Sequence, residues 1–174
     1  QNYALIEEYV SHIREQFDLV PDTADADYSD DIAGCFSTAV HLRLGDYVND
    51  PLVAATYARL SPDYYSRSMD RVRAAAGSRE CRFFIFSNDL EQARHIIGEA
   101  PDITYIAGID NDIREFKLMV ACHSQIISNS TFSWWAALLN REPEKMVVAP
   151  RDWFTDKNRA EDIWIPAEWI REVN

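Results

Sequence analysis

Positive charge is scarce in this chain: 17 Lys and Arg stand against 29 Asp and Glu, a formal charge of -12 over 174 residues. That balance argues against nucleic acid or an anionic membrane as partner, and any phosphate must be met by a local positive feature on an acidic surface. No apolar run approaches the roughly 20 residues of a membrane span, and no signal peptide heads the chain. The three cysteines, Cys35, Cys81 and Cys122, are odd in number, sit beside apolar stretches and show no CxxC spacing. They read as buried thiols in a reducing compartment rather than a disulfide framework or a zinc site. There is no GxGxxG, Walker loop, GxSxG or HExxH, so nicotinamide redox chemistry, phosphate-loop hydrolysis and zinc proteolysis have no local support. Internal repeats and low-complexity tracts are missing as well.

What is present is a globular composition, 47% hydrophobic and 12% aromatic, enough for one domain that buries on the order of two thirds of its unfolded surface. The chain is organised around Phe36 to Tyr47, FSTAVHLRLGDY. Side chains two apart in a strand share a face, so His41 and Arg43 leave the end of a buried strand together while Val40, Leu42 and Leu44 take the other side. Gly45 permits a sharp turn and Asp46 follows within reach of Arg43. A guanidinium at the carboxyl end of a parallel strand suits a phosphate or carboxylate. The competing reading is a structural pair, with Arg43 tied to Asp46.

Around this strand the periodicity predicts an amphipathic helix to about Gln16, from Tyr3, Ile6, Val10, Ile13 and Phe17. The aspartate-rich run from Asp18 to Asp31 reads as a surface loop, with too little of the calcium-loop spacing to hold that ion. Val48 to Leu60 has no clean period. Ser61-Pro62-Asp63 opens a helix that ends at Gly77. Arg82 to Ser87 is a short buried strand, Asn88-Asp89 caps a helix, Ile103 to Ile106 is a strand, and Asn111 or Asp112 caps another helix. Gln125 to Ser128 and Lys145 to Ala149 are strands flanking a helix that ends at Leu139. The tail from Arg151 carries Trp153, Trp164 and Trp169 and packs back on the sheet edge or on a neighbouring domain. This alternation predicts an α/β fold, a Rossmann-like parallel sheet flanked by helices.

A second informative stretch is IISNSTFSWW, Ile126 to Trp135. Ser130, Thr131 and Ser133 before a helix form a potential anion cradle, where free N–H groups and the helix dipole favour negative charge; ordinary N-capping is the plainer alternative. Asn129-Ser130-Thr131 matches a glycosylation acceptor, discounted because the segment looks internal. Asp89 could hold a ribose hydroxyl or simply cap its helix. Glu115 is a solvated charge by default, and gains a role only beside a guanine, whose two N–H groups a carboxylate accepts. His12, His95 and His123 are scattered and read as surface or satisfied core.

Taken together, these motifs resemble the α-1,2-fucosyltransferases of glycosyltransferase family eleven. The family's HxRRGDY is similar to His41 to Tyr47, FFIFS(D/N)D to Phe83 to Asp89, and NSSFSWW(A/G)xxLN to Asn129 to Asn140; SPDYYSRSM and KMVVAPRDWF match it between and beyond these. The likeness runs from about Ala39 to Trp169. It implies the donor-binding half of a GT-B glycosyltransferase that takes fucose from GDP-fucose to the 2-hydroxyl of a galactose-type acceptor, with inversion and with no metal or other cofactor. Carried onto this sequence, it places Arg43 on the β-phosphate, His41 on the nucleotide and Asp46 as completing the loop; an inverting transfer also needs a base for the acceptor proton, for which Asp46 is the candidate. Ser130, Thr131 and Ser133 then sit at the diphosphate, with Asp89 and Glu115 also on the donor side. Two departures stand out: Leu44 replaces the family's second arginine, and the region before the signature is short.

The expected organisation is residues 1–31 as an N-terminal helix and acidic loop linking to an acceptor-side domain, and 32–174 as the nucleotide-sugar-binding domain. The expected partners are a nucleotide-sugar donor and a glycan acceptor, not nucleic acid, with membrane association not visible. Location would be the cytoplasm for a bacterial or viral protein, or the Golgi lumen if an anchor precedes this stretch. A non-catalytic GDP-sugar-binding module and a GDP-mannose user are the competing functions.

Overall fold

A computed structural model describes residues 3–45, 50–156 and 165–174. Six parallel strands form one sheet: β1 (Phe36–Leu42), β2 (Cys81–Ser87), β3 (Ile103–Tyr105), β4 (Ser124–Ile126), β5 (Val147–Pro150) and β6 (Ile170–Glu172). Their spatial order is β3-β2-β1-β4-β5-β6. The Rossmann-like expectation is met, and the strand order reverses between β1 and β4.

Every residue of β1 is buried, as a parallel strand covered on both faces requires. One face packs Val40, Leu42 and Leu44 against Tyr64, Tyr65, Met69 and Val72 of α5 (Pro62–Ala76) and Ala93 of α6 (Leu90–Ile97). The other packs Ala39 against Leu118 and Met119 of α7 (Asp112–Ala121) and Ala136 of α8 (Thr131–Leu139). Each such large apolar side chain contributes about 1.5 to 3 kcal/mol by leaving water. The helix starts follow their capping chemistry: Ser61 Oγ accepts from Tyr64 N with Pro62 in the first turn, Asp89 from Gln92 N, and Asn111 from Ile113 N and Arg114 N. Gly77 ends α5 with φ of 64°, a value that glycine alone adopts freely.

Beyond β5, Trp153, Ile165 and Trp169 pack with Trp134 of α8, so the tail closes on the sheet edge. The tail also supplies β6, which its charged sequence conceals: Glu172 is buried and paired with Arg67 at 3.2 Å and Arg71 at 3.0 Å, both on α5. All three cysteines are free thiols.

The acidic segment departs from the expected loop. It contains a short 3-10 turn at Thr23–Asp25 and a helix, α3 (Ala26–Ala33), so the division expected at residue 31 falls within a helix. Three aspartates are neutralised by cations distant in sequence: Asp22 by Lys117, the buried Asp25 by Arg114, and Asp31 by Arg82. Ile32, 1% exposed, anchors α3 under the sheet. Before it, α1 (Tyr3–Ile6) and α2 (Val10–Glu15) lie along α8, where the Arg14 guanidinium donates to Leu138 O at 2.6 and 3.0 Å. The acyclic stretch after β1 holds a further short helix, α4 (Pro51–Thr56), capped by Asp50.

One bond fixes α5 to the sheet beside the strand-order reversal. The fully buried Tyr64 hydroxyl donates to Ile127 O, just past β4, at 2.6 Å. Tyr64→Phe should cost about 1 to 2 kcal/mol in urea unfolding, because the carbonyl loses its partner in a dry site; an unchanged midpoint would show that the bond carries no net stability.

Candidate functional site

Strand order reverses between β1 and β4, so the loops leaving these two strands diverge to opposite faces and open a crevice. Across it, His41 Nδ1 lies 2.8 Å from Ser128 Oγ, both groups buried. The His41 ring also packs on Phe132, 5.7 Å between centroids, and Phe132 meets Phe116 edge-on at 5.4 Å. Burial first, and the Arg43 charge second, push the His41 pKa from 6.5 down to about 3. The imidazole is therefore neutral at pH 7, and adds no like charge beside Arg43.

Arg43 and Asn129 line one cavity of about 210 Å³ beyond the ends of β1 and β4. Its wall is largely apolar, from Leu44, Leu60, Tyr65 and Ile96, and Arg59 also faces it. The loop after β1 is held in place by Asn88: Leu44 N donates to Asn88 Oδ1 at 2.8 Å and Asn88 Nδ2 donates to Leu44 O at 3.3 Å. Gly45 then turns with φ of 57°, and a Cβ there would sit 2.8 Å from Asn88 Nδ2. Position 45 thus excludes a side chain both by conformation and by space. Leu44 is buried in the α5 core and also contributes to the cavity wall beside Arg43.

The other expected site residues are distributed around this crevice. Asp46 lies outside the described residues. Asp89 caps α6 through Gln92 N at 3.0 Å. Ser130 is the N-cap residue of α8 by position, yet its side chain makes no capping bond, and Thr131 is exposed at the first turn. Ser133 is fully buried, donating to Ser130 O at 3.2 Å and Ser128 O at 3.4 Å; its hydroxyl shapes the turn from inside. Asn129 is 3% exposed and donates to Ala58 O at 2.6 Å and Trp153 O at 3.1 Å, which closes it to glycosylation. Glu115, on the first turn of α7 and half-buried, has its pKa raised from 4.5 to about 7, by burial first and the Asp112 charge second. The Arg43 cavity itself is not lined by Asp89, Glu115, Ser130, Thr131 or Ser133. Sequence reasoning missed Arg59 and the clamp role of Asn88 and Asn129, for which only the third polar strand end gave any signal.

The profile of the family described as Glycosyl transferase family 11 matches residues 28–173. The chain belongs to glycosyltransferase family 11. It is 33% identical to the O-antigen biosynthesis glycosyltransferase WbnK of Escherichia coli over 137 residues, covering 74% of this chain and 44% of that protein. It is 28% identical to an alpha-1,2-colitosyltransferase of Escherichia coli over 176 residues, covering 98% of this chain and 60% of that protein. The chain therefore spans about half the length of these relatives. Among solved structures it is similar to the fucosyltransferase NodZ from Bradyrhizobium, with TM-score 0.48 and 17% identity over 66% of this chain and 39% of that one. No helix among the described residues is long and apolar enough to cross a membrane.

The depressed His41 pKa has a consequence for the stability of this family 11 chain. The unfolded chain takes up a proton near pH 6.5 and the folded chain only near 3. The His41 contribution is complete above about pH 6.5 and is lost as pH falls toward 3, by up to about 1.4 kcal/mol per pH unit. In urea unfolding between pH 7 and 4.5, His41→Gln should show a shallower loss of stability than the parent; parallel pH profiles would contradict this.

Proposed function

We propose that this stretch of a family 11 glycosyltransferase binds GDP-fucose in the crevice between β1 and β4. The whole protein then transfers fucose to the 2-hydroxyl of a galactose-type acceptor with inversion and without a metal. The observation that carries the reading is the cavity shared by Arg43 and Asn129 at the strand-order reversal, in a chain whose family is one of glycosyltransferases. The relative named for alpha-1,2-colitosyl transfer supports the linkage.

The chemistry fits these residues. As GDP departs, negative charge grows on the β-phosphate and the sugar becomes oxocarbenium-like. A preorganised guanidinium stabilises that charge where other enzymes use a divalent cation, and the N-terminus of α8, with Ser130 and Thr131, adds N–H groups and dipole. His41, neutral and held by Ser128, orients the nucleotide beside Arg43 without competing for charge. Loss of one such donor typically removes about 3 to 4 kcal/mol of barrier stabilisation.

Arg43→Ala should weaken GDP binding by at least about tenfold in calorimetry, the value of one charge-assisted pair, with EDTA leaving the parent's affinity unchanged; equal affinity in parent and variant would remove Arg43 from the site. GDP-fucose should outcompete GDP-mannose, and the reverse order would reassign the donor sugar.

Glu115 offers an independent test of the base. With a pKa of about 7, it is about half protonated at pH 7, and a guanine that donates two N–H groups selects the ionised form. GDP binding should then release about half a proton, read from calorimetry in buffers of different ionisation enthalpy. Glu115→Gln should abolish the release, and a release that persists in this variant would remove Glu115 from guanine recognition.

A further inference from the structure

The cavity beside Arg43 contains a second guanidinium that belongs to none of the motifs. Arg59, in the link between α4 and α5, lines it, and its described lining residues include no carboxylate. In a chain of formal charge -12, a concavity edged by two arginines and no described acid is where an anion gains most and meets least repulsion.

Arg59 is also exceptional among the arginines. Every other described arginine has a partner, whether a carboxylate, as for Arg67 and Arg71 on Glu172, or a carbonyl, as for Arg14 on Leu138. Among the described residues, Arg59 makes no hydrogen bond and no ion pair. Its backbone is nevertheless held through its neighbours. The preceding residue, Ala58, donates its N–H to Trp153 O at 3.2 Å and accepts from Asn129 Nδ2 at 2.6 Å. Tyr57 forms a bridge with Phe154 on the tail, their rings 5.5 Å apart. Asn129, at the strand-order reversal, thus ties the Arg59 backbone to the same crevice that Arg43 enters. An exposed head group without a partner among the described residues, carried on backbone braced through Ala58 and Tyr57, gives up no existing bond on binding.

We propose that Arg59 is a second anion-binding group of this cavity, which closes with Arg43 on the two phosphates of a nucleoside diphosphate from the α4–α5 side. This rests on the donor-binding reading above. A diphosphate presents two adjacent anionic groups, and one planar guanidinium fork satisfies only one of them bidentately.

Calorimetry with GDP, GMP and inorganic pyrophosphate on the parent, Arg59→Ala, Arg59→Lys and Arg43→Ala tests the assignment. Arg59→Ala should weaken GDP and pyrophosphate about tenfold and GMP far less, Arg59→Lys should recover part of the loss, and melting temperature should not move because Arg59 bonds none of the described residues. Unchanged GDP and pyrophosphate affinity in Arg59→Ala, or an equal loss for GMP, overturns the proposal. A parent that binds pyrophosphate but not GDP removes the nucleotide reading and leaves Arg59 to be judged on pyrophosphate. A parent that binds neither overturns both.

Discussion

The reversal of strand order between β1 and β4 is the constraint from which the site follows. Two helices, α5 and α6, cover one face of the sheet, and α7 and α8 cover the other, so the chain must leave β1 toward one side and β4 toward the opposite side. Arg43 and Asn129 are among the described residues that line the gap between the diverging loops. The hydrogen bond between His41 and Ser128 spans that gap at its base, and Tyr64 and Asn129 brace it from either side through backbone carbonyls. The crevice is a by-product of topology, and the sequence places its cations there.

Charge explains why so few cations suffice. Most guanidinium groups of this acidic chain are spent on structure: Arg67 and Arg71 hold β6 through Glu172, and Arg114 and Arg82 hold the acidic segment through Asp25 and Asp31. Arg43 and Arg59 line the cavity of the crevice, beside a histidine kept neutral by burial. On a chain of formal charge -12, a concavity edged by two arginines is where an anion meets least repulsion. Burial also sets Glu115 near neutrality, where a change of ligand is able to move a proton.

Much of this was legible from residue order alone. The uninterrupted apolar runs ending in polar residues, FSTAVHLR and RFFIFS, give β1 and β2 because a parallel strand buried on both faces cannot alternate. Ser61-Pro62, Asp89 and Asn111 mark helix starts because their side chains satisfy orphan N–H groups within three residues. Those are local effects. Apart from α4, whose Asp50 cap and Pro51 are local signals, the failures are non-local. The aspartates of the acidic segment, Asp22, Asp25 and Asp31, find cations at positions 117, 114 and 82, which no window around residue 25 contains. Strand β6 carries Arg171 and Glu172, and its buried Glu172 is matched by two α5 arginines far away in sequence. Arg59 sits in a stretch without period, and its place in the cavity depends on Asn129, 70 positions later. Within the serine-rich turn, composition could not separate Ser133, which faces inward and builds the turn, from Ser130, whose side chain is left out of the cap.

The most direct measurement of the central claim is a crystal structure of this chain with GDP. The account predicts the diphosphate between the ends of β1 and β4, within hydrogen-bond distance of the Arg43 guanidinium and in contact with the cavity that Asn129 lines. A diphosphate bound elsewhere on the sheet, with Arg43 left on protein partners alone, would contradict it.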